Sequence, residues 1–210
     1  MKNLLSIIIC IFPSLLFGQN IDVNKYFAHT FDKSFVKCKH GKFKGQFLKG
    51  KCNGMGILQM KDKSLFFGDF MNGEITGYGM KIAPSSKQVI TNCPNALIYV
   101  GNWNKGKKSG TGTCYDKEGK VIYNGNFLAD KPTAHYPTND TQIDKHFTIV
   151  ELPDSGAFIG ETKQGVPNGF GFVLMANGDF CQSNFKNGDR CGIGLYLMSD
   201  GNWETLNFEN

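Results

Sequence analysis

Residues 99–112 read YVGNWNKGKKSGTG, and the spacing of their glycines decides the fold. With Gly101 as position zero, aromatic residues stand at −2 (Tyr99) and +2 (Trp103). Further glycines stand at +5, +9 and +11 (Gly106, Gly110, Gly112). The same frame fits Phe43, Gly45, Phe47, Gly50, Gly54 and Gly56, and again Phe66, Gly68, Phe70, Gly73, Gly77 and Gly79. It fits Phe158, Gly160, Gly165, Gly169 and Gly171 with Thr162 as the second ring's replacement, and Phe185, Gly188, Gly192 and Gly194 with Cys181 and Ser183 at the first two places. A further copy opens with Tyr123, Gly125 and Phe127 but then carries Asp130, Ala134 and Tyr136 at its glycine positions, and a last half copy puts Phe208 at +2. The zero positions 45, 68, 101, 125, 160, 183 and 206 give a basic step of 23, lengthened twice by insertions at 83–97 and 131–156. Self-similarity at this period is the mark of a repeat architecture.

Each copy reads as a β-hairpin. Positions −2, 0 and +2 share one face of a strand because side chains alternate. Positions +4 and +5 are Asn72-Gly73 and Asn187-Gly188 in two copies, the strongest two-residue hairpin signal. A turn there makes facing positions sum to nine, so the glycine at 0 is expected opposite the glycine at +9, and the ring at −2 opposite the glycine at +11, where it covers bare backbone. One hairpin is marginal in water, and stacking successive hairpins buries the rings and pairs the edges. The expected fold is all-β: tandem antiparallel hairpins stacked into one elongated, twisted sheet with a groove.

This pattern, Tyr/Phe-x-Gly-x-Trp/Phe-x-x-Gly-x-x-x-Gly-x-Gly, resembles the MORN (membrane occupation and recognition nexus) repeat over about residues 43–210. The resemblance implies a row of hairpins forming a grooved sheet. It also implies an interaction or scaffold role, which some family members exert on membrane lipids or through self-association.

Composition agrees with a hairpin array. There are 26 glycines in 210 residues and 18 Phe against 2 Trp, with 40% hydrophobic and 20% charged residues. That is a globular composition too rich in glycine for a mostly helical chain. The net charge of +5 is too mild to imply nucleic acid. Residues 1–18, MKNLLSIIICIFPSLLFG, have the layout of a secretory signal: Lys2, then an apolar run, then a small residue. The expected organisation is a signal over 1–18, a lead-in over 19–42, a first block over 43–127, an irregular junction with one extra strand over 128–157, and a second block over 158–210. Cleavage near Gly18 would leave an exported chain, periplasmic, cell-surface or extracellular. It would also leave six cysteines of the seven, an even number that permits disulfides. Cys93 lies in the insertion before the third copy and Cys114 just after that copy, which makes them the expected bridge. Cys181 and Cys191 point to opposite faces of one hairpin and are expected to stay apart.

No nucleophile, phosphate-loop or paired-carboxylate motif accompanies the repeats, and neither non-repeat stretch has room for a catalytic domain. The chain therefore reads as non-enzymatic, without cofactor or metal. His146, at the head of HFTIVEL (146–152), starts an apolar, β-branched run expected to be a strand of its own. Two candidate binding features remain. Phe47, Phe70, Tyr99 and Trp103 are either sheet core or the lining of an aromatic groove. Lys49, Lys51, Lys105, Lys107, Lys108, Lys186 and Arg190 flank hairpin turns and would form a basic ridge, which is either a contact for anionic lipid, glycan or acidic protein or a solvated edge that discourages aggregation. The reading adopted is an exported scaffold that binds another protein or itself. An envelope-binding module for anionic lipid or glycan is the alternative.

Overall fold

The computed structural model describes residues 35–84, 90–133, 144–152 and 156–208. The signal-like segment and most of the lead-in lie outside them. Among the described residues, fifteen strands form two antiparallel sheets in which every strand pairs with its sequence neighbour. The first sheet holds β1 (Val36–Cys38), β2 (Gly41–Leu48), β3 (Lys51–Met60), β4 (Leu65–Met71), β5 (Glu74–Ile82), β6 (Ile98–Asn104), β7 (Lys107–Tyr115), β8 (Val121–Leu128) and β9 (Lys131–Pro132). The second holds β10 (His146–Leu152), β11 (Gly156–Lys163), β12 (Val166–Leu174), β13 (Phe180–Lys186), β14 (Asp189–Leu197) and β15 (Trp203–Phe208). The hairpin array is as expected, but it is not one continuous sheet. It breaks after β9 and resumes at β10, so the ladder is cut where the fourth copy loses its glycines.

The turns follow the sequence. Lys49-Gly50, Asn72-Gly73, Lys105-Gly106, Gln164-Gly165 and Asn187-Gly188 all have two consecutive positive φ angles, the type I′ requirement. The fourth copy makes the same turn with Ala129 (φ 48°) and Asp130 (φ 76°), yet its return strand is only two residues long. Ala134 and Tyr136 lie outside the described residues. Turns also lock to the preceding hairpin. The N–H groups of Gly73, Gly106 and Asp130 donate to the carbonyls of Cys52, Ile75 and Lys108 at 2.8, 2.9 and 2.9 Å, and Gly188 does the same to Pro167 at 2.9 Å. Successive hairpin tips are thereby lined up along one edge of each sheet.

The register corrects the expected pairing. Near the turn, facing positions do sum to nine, as in Phe47↔Cys52. Beyond a bulge they sum to eleven, as in Gly45↔Gly56 and Phe43↔Leu58. The same shift recurs at Gly68↔Gly79, Gly101↔Gly112 and Gly160↔Gly171. The glycine at 0 therefore faces the one at +11, and the glycine at +9 sits in the bulge. Across strands the 0 and +11 glycines meet again, as in Gly56↔Gly68 and Gly79↔Gly101, so a glycine row crosses the first sheet. The ring at −2 lies over that row: a Cβ on Gly112 would come within about 2.5 Å of three atoms of Tyr99.

The rings form a continuous zigzag. Phe47, Phe43, Phe70, Phe66, Trp103, Tyr99, Phe127 and Tyr123 contact in that order, edge to face, with centroids 4.8–5.4 Å apart. Each such pair contributes about 0.5–1.5 kcal/mol beyond its buried area.

The opposite faces of the two sheets pack on each other. Phe67 stacks on Phe172 at 4.4 Å and on Phe180 at 5.7 Å, all three buried. Tyr78 meets Phe170 at 5.6 Å, and Lys44 donates to the Ser199 carbonyl. The array thus doubles back on itself instead of extending. Each sheet has an apolar second face, through residues such as Phe67 and Phe172, that the other sheet covers.

Candidate functional site

The structure separates the sequence-predicted residues by where their side chains end. Tyr99, Trp103 and Phe70 are buried within the zigzag, and Trp103 Nε1 donates to the Gly79 carbonyl at 3.1 Å while Tyr99 OH donates to the Asn102 carbonyl at 3.0 Å. These three rings are closed core and do not line an open groove. Phe47, at the end of the zigzag, is 38% exposed.

Of the basic ridge, Lys49, Lys51, Lys105, Lys107 and Lys186 are exposed. Lys108 is not part of it: at 1% exposure its Nζ lies 5.5 Å from the ring centroids of both Tyr99 and Phe127 and donates to the Thr91 carbonyl. The reason is alternation, since Lys107 and Lys108 are consecutive on β7 and point to opposite faces. Burial lowers the Lys108 amine to about 8, against the pull of Asp130. Arg190 is half-buried, with its guanidinium 5.0 Å over the Phe208 ring.

The tips carry a feature the sequence reading missed. Leu48, Met71 and Leu128 occupy position +3, next to the turn, and are 56%, 59% and 68% exposed. Since the turn-to-turn hydrogen bonds align the tips, these side chains stand along the same edge of the first sheet as Lys49, Lys51, Lys105 and Lys107. The signal was present as apolar residues directly before a turn, where solvation calls for polar ones.

A second missed feature is a polar residue at +1 in every copy: Gln46, Asp69, Asn102, Asn126, Glu161, Asn184 and Asn207. The bulge sets three residues of the return strand against one of these and leaves the +10 N–H without a ladder partner. Gln46, Asp69 and Glu161 accept that N–H, from Met55 at 2.8 Å, Tyr78 at 3.2 Å and Phe170 at 2.8 Å. A buried donor needs such a partner. Glu161 also accepts a 2.5 Å hydrogen bond from Tyr115 OH across the sheet interface, and Lys145 Nζ stands 3.8 Å away. Burial and then the Glu161 charge hold the Tyr115 hydroxyl well above its ordinary range.

Cys93 and Cys114 form a disulfide with Cα atoms 6.6 Å apart. It ties the insertion, with Ile90 and Ala96 buried, against the aromatic face of the third copy. Cys181 and Cys191 are free. Asn184 faces Cys191 as expected, whereas the bulge places Cys181 opposite Tyr196 instead of Gly194. Cys52 is also free, its thiol pushed up to about 12 by burial and by the neighbouring Cys38. Among the described residues no group of three or more His, Cys, Asp or Glu is placed to hold a metal ion, and no helix is long and apolar enough to cross a membrane.

Fold and register define a stacked β-hairpin repeat protein. The family model for the MORN repeat matches residues 43–64, 66–86, 99–121, 158–180 and 181–203, more than half of the chain, and the chain belongs to that family. MORN repeats are interaction modules for proteins and membranes. The chain is similar to Alsin from Rattus norvegicus and from Homo sapiens, at 25% identity over 172 residues, 79% of this chain. It spans about a tenth (10%) of the length of these relatives.

Proposed function

We propose that this chain is an exported, non-enzymatic MORN scaffold that binds another protein, or a second copy of itself, through the hairpin-tip edge of its first sheet. The observation that supports this is the row Leu48, Met71 and Leu128, exposed at aligned tips beside four exposed lysines. Apolar side chains held at a rigid edge are anchor residues in search of a covered site. The signal-like residues 1–18 support export.

The same edge also supports the second reading, contact with an anionic lipid surface, because lysines around apolar tips match a headgroup layer. Two measurements separate the readings. Replacing Leu48, Met71 and Leu128 together by Ser should abolish capture of the partner, or shift the chain from dimer to monomer in light scattering, while stability changes by less than about 0.5 kcal/mol per site. Binding to phosphatidylserine vesicles that fades steeply with salt, with no protein partner and no self-association, would move the assignment to the lipid.

A further inference from the structure

Between the two sheets, near their bulges, lies a half-open cleft of about 390 Å³. That is large enough for the end of a side chain or a small molecule. Gln46, Asp69 and Tyr78 line it from the first sheet, and Phe170, Gln182 and Asn184 from the second. No tip residue lines it, so it is independent of the edge proposed above.

Three observations define what the cleft lacks. First, Gln182 is 2% exposed, and its Oε1 has no hydrogen-bond partner among the described residues. A buried acceptor left open costs about 1–3 kcal/mol, and a ligand donor would recover it. Second, Asp69 is half-buried and uses only Oδ2, for the Tyr78 N–H at 3.2 Å, with no Lys, Arg or His in ion-pair reach among the described residues. Burial holds its carboxyl above the usual range, the direction expected of a carboxylate without a counter-ion. Third, no basic residue lines the cleft, in a chain that holds 23 Lys and Arg. The Glu161 charge reaches the same region, where it acts on Tyr78 after burial has already raised that hydroxyl.

We propose that this cleft binds a guanidinium or ammonium group, with Asp69 as counter-ion, Gln182 Oε1 as an acceptor and the Tyr78 and Phe170 rings as its walls. A cation fits better than a neutral polyol. A polyol would satisfy the open acceptor but leave the carboxylate uncompensated, whereas a cation satisfies both and gains from the ring faces. The group could arrive on a partner's Arg or Lys side chain or on a free amine.

The test follows side-chain and backbone amide resonances of the purified, 15N-labelled protein at constant ionic strength. The probes are methylguanidinium, arginine amide and its uncharged isostere citrulline amide (both with the α-amine acetylated), and glucose. Methylguanidinium and arginine amide should give saturable shifts at the Gln182 and Gln46 side-chain amides and at Gly54, and citrulline amide and glucose should not. Arginine amide binding more tightly than methylguanidinium would identify a side chain as the source, and equal affinity a free small cation.

Asp69→Asn keeps an acceptor for the Tyr78 N–H and should weaken binding about tenfold or more. Gln182→Met gives a second reading that does not depend on the first variant folding: removal of an unpaired acceptor should leave thermal stability unchanged or higher, yet binding should fall. Absence of saturable shifts, equal response to citrulline amide or glucose, or unchanged affinity in either folded variant would overturn the proposal.

Discussion

The two sheets are built from the same frame, and they differ in how much of it they keep. In the first, glycines at 45, 56, 68, 79, 101, 112 and 125 run in register across seven strands, the −2 rings lie over that row, and eight rings join in one zigzag. In the second, the row runs Gly160, Gly171, then Ser183, and past Gly194 it meets Leu206. Where the zero glycine becomes Ser183, the ring at −2 becomes Cys181. The zigzag shrinks to Phe158 against Phe185 at 5.0 Å, with Arg190 over Phe208 beyond it. The lesson is steric. The ring and the two glycines beneath it are one unit, and losing one member releases the others. The position +7 residue shows the same contrast, since Lys108 is swallowed between rings in the first sheet while its counterpart Arg190 keeps partial contact with solvent in the second.

Placing the second sheet's residue into the first gives the hardest test. A Cβ on Gly101 would lie 2.5 Å from the Gly112 Cα and 2.7 Å from Tyr99 OH. Gly101→Ser should therefore cost about 3 kcal/mol or more in urea unfolding, through displacement of a buried ring. Ser183→Gly should change stability by less than about 1 kcal/mol. Equal costs would break the steric account.

The clasp comes next, because among the described residues it ties an insertion over the aromatic face of the first sheet. The Cys93–Cys114 link spans 21 residues, and a loop of that size contributes about 3 kcal/mol by chain entropy. The double Ala variant should lose most of that, and the losses in hydrogen-exchange protection should concentrate in β6 and β7 rather than in β11–β14.

Glu161 sharpens the comparison at the interface itself. It serves Tyr115 OH with one oxygen and the Phe170 N–H with the other. An amide has one acceptor atom, so Glu161→Gln should cost about 2 kcal/mol. If the sheets are coupled as described, the whole domain should still unfold in one transition. Two separated transitions in the variant would show that this carboxylate holds the sheets together.

The smallest effect belongs to Lys108. Its amine titrates near 8 when folded, below the 10.5 of an ordinary lysine. Between those values the unfolded chain binds the proton and the folded chain does not. Stability from this group is therefore complete above about pH 10.5, is lost as pH falls towards 8, and is flat below. Lys108→Met should remove that slope and be about as stable as the parent, or more so, at pH 7. Arg190→Met should show no matching change in slope.

How much was legible before the structure follows from how local each cause is. Type I′ turns require positive φ at two adjacent residues, so Asn72-Gly73 and Asn187-Gly188 placed their hairpins outright. The fourth copy shows that the rule can be met without glycine, at Ala129 and Asp130, whose N–H still reaches the Lys108 carbonyl. An apolar, β-branched run marked His146–Leu152, which is β10. The polar row at +1 was equally visible, but its purpose was not. A bulge changes which residues face each other without changing the spacing of any residue type, and only the orphaned N–H at +10 shows why an acceptor recurs.

By itself the sequence determined the repeat, its period and the turns at positions +4 and +5 of each glycine-bearing copy, because each rests on backbone chemistry within a few residues. Tertiary structure alone decided the rest. It set the eleven-sum register beneath the rings, because Phe43, Phe66, Tyr99 and Phe158 need two facing glycines to lie flat on the sheet. It buried Lys108 and exposed Lys107, through the face that each presents. It also folded the array into two facing sheets. Phe67, Phe172 and Phe180 lie far apart in the chain, and the free energy of bringing them together is a property of their contact that no single repeat encodes.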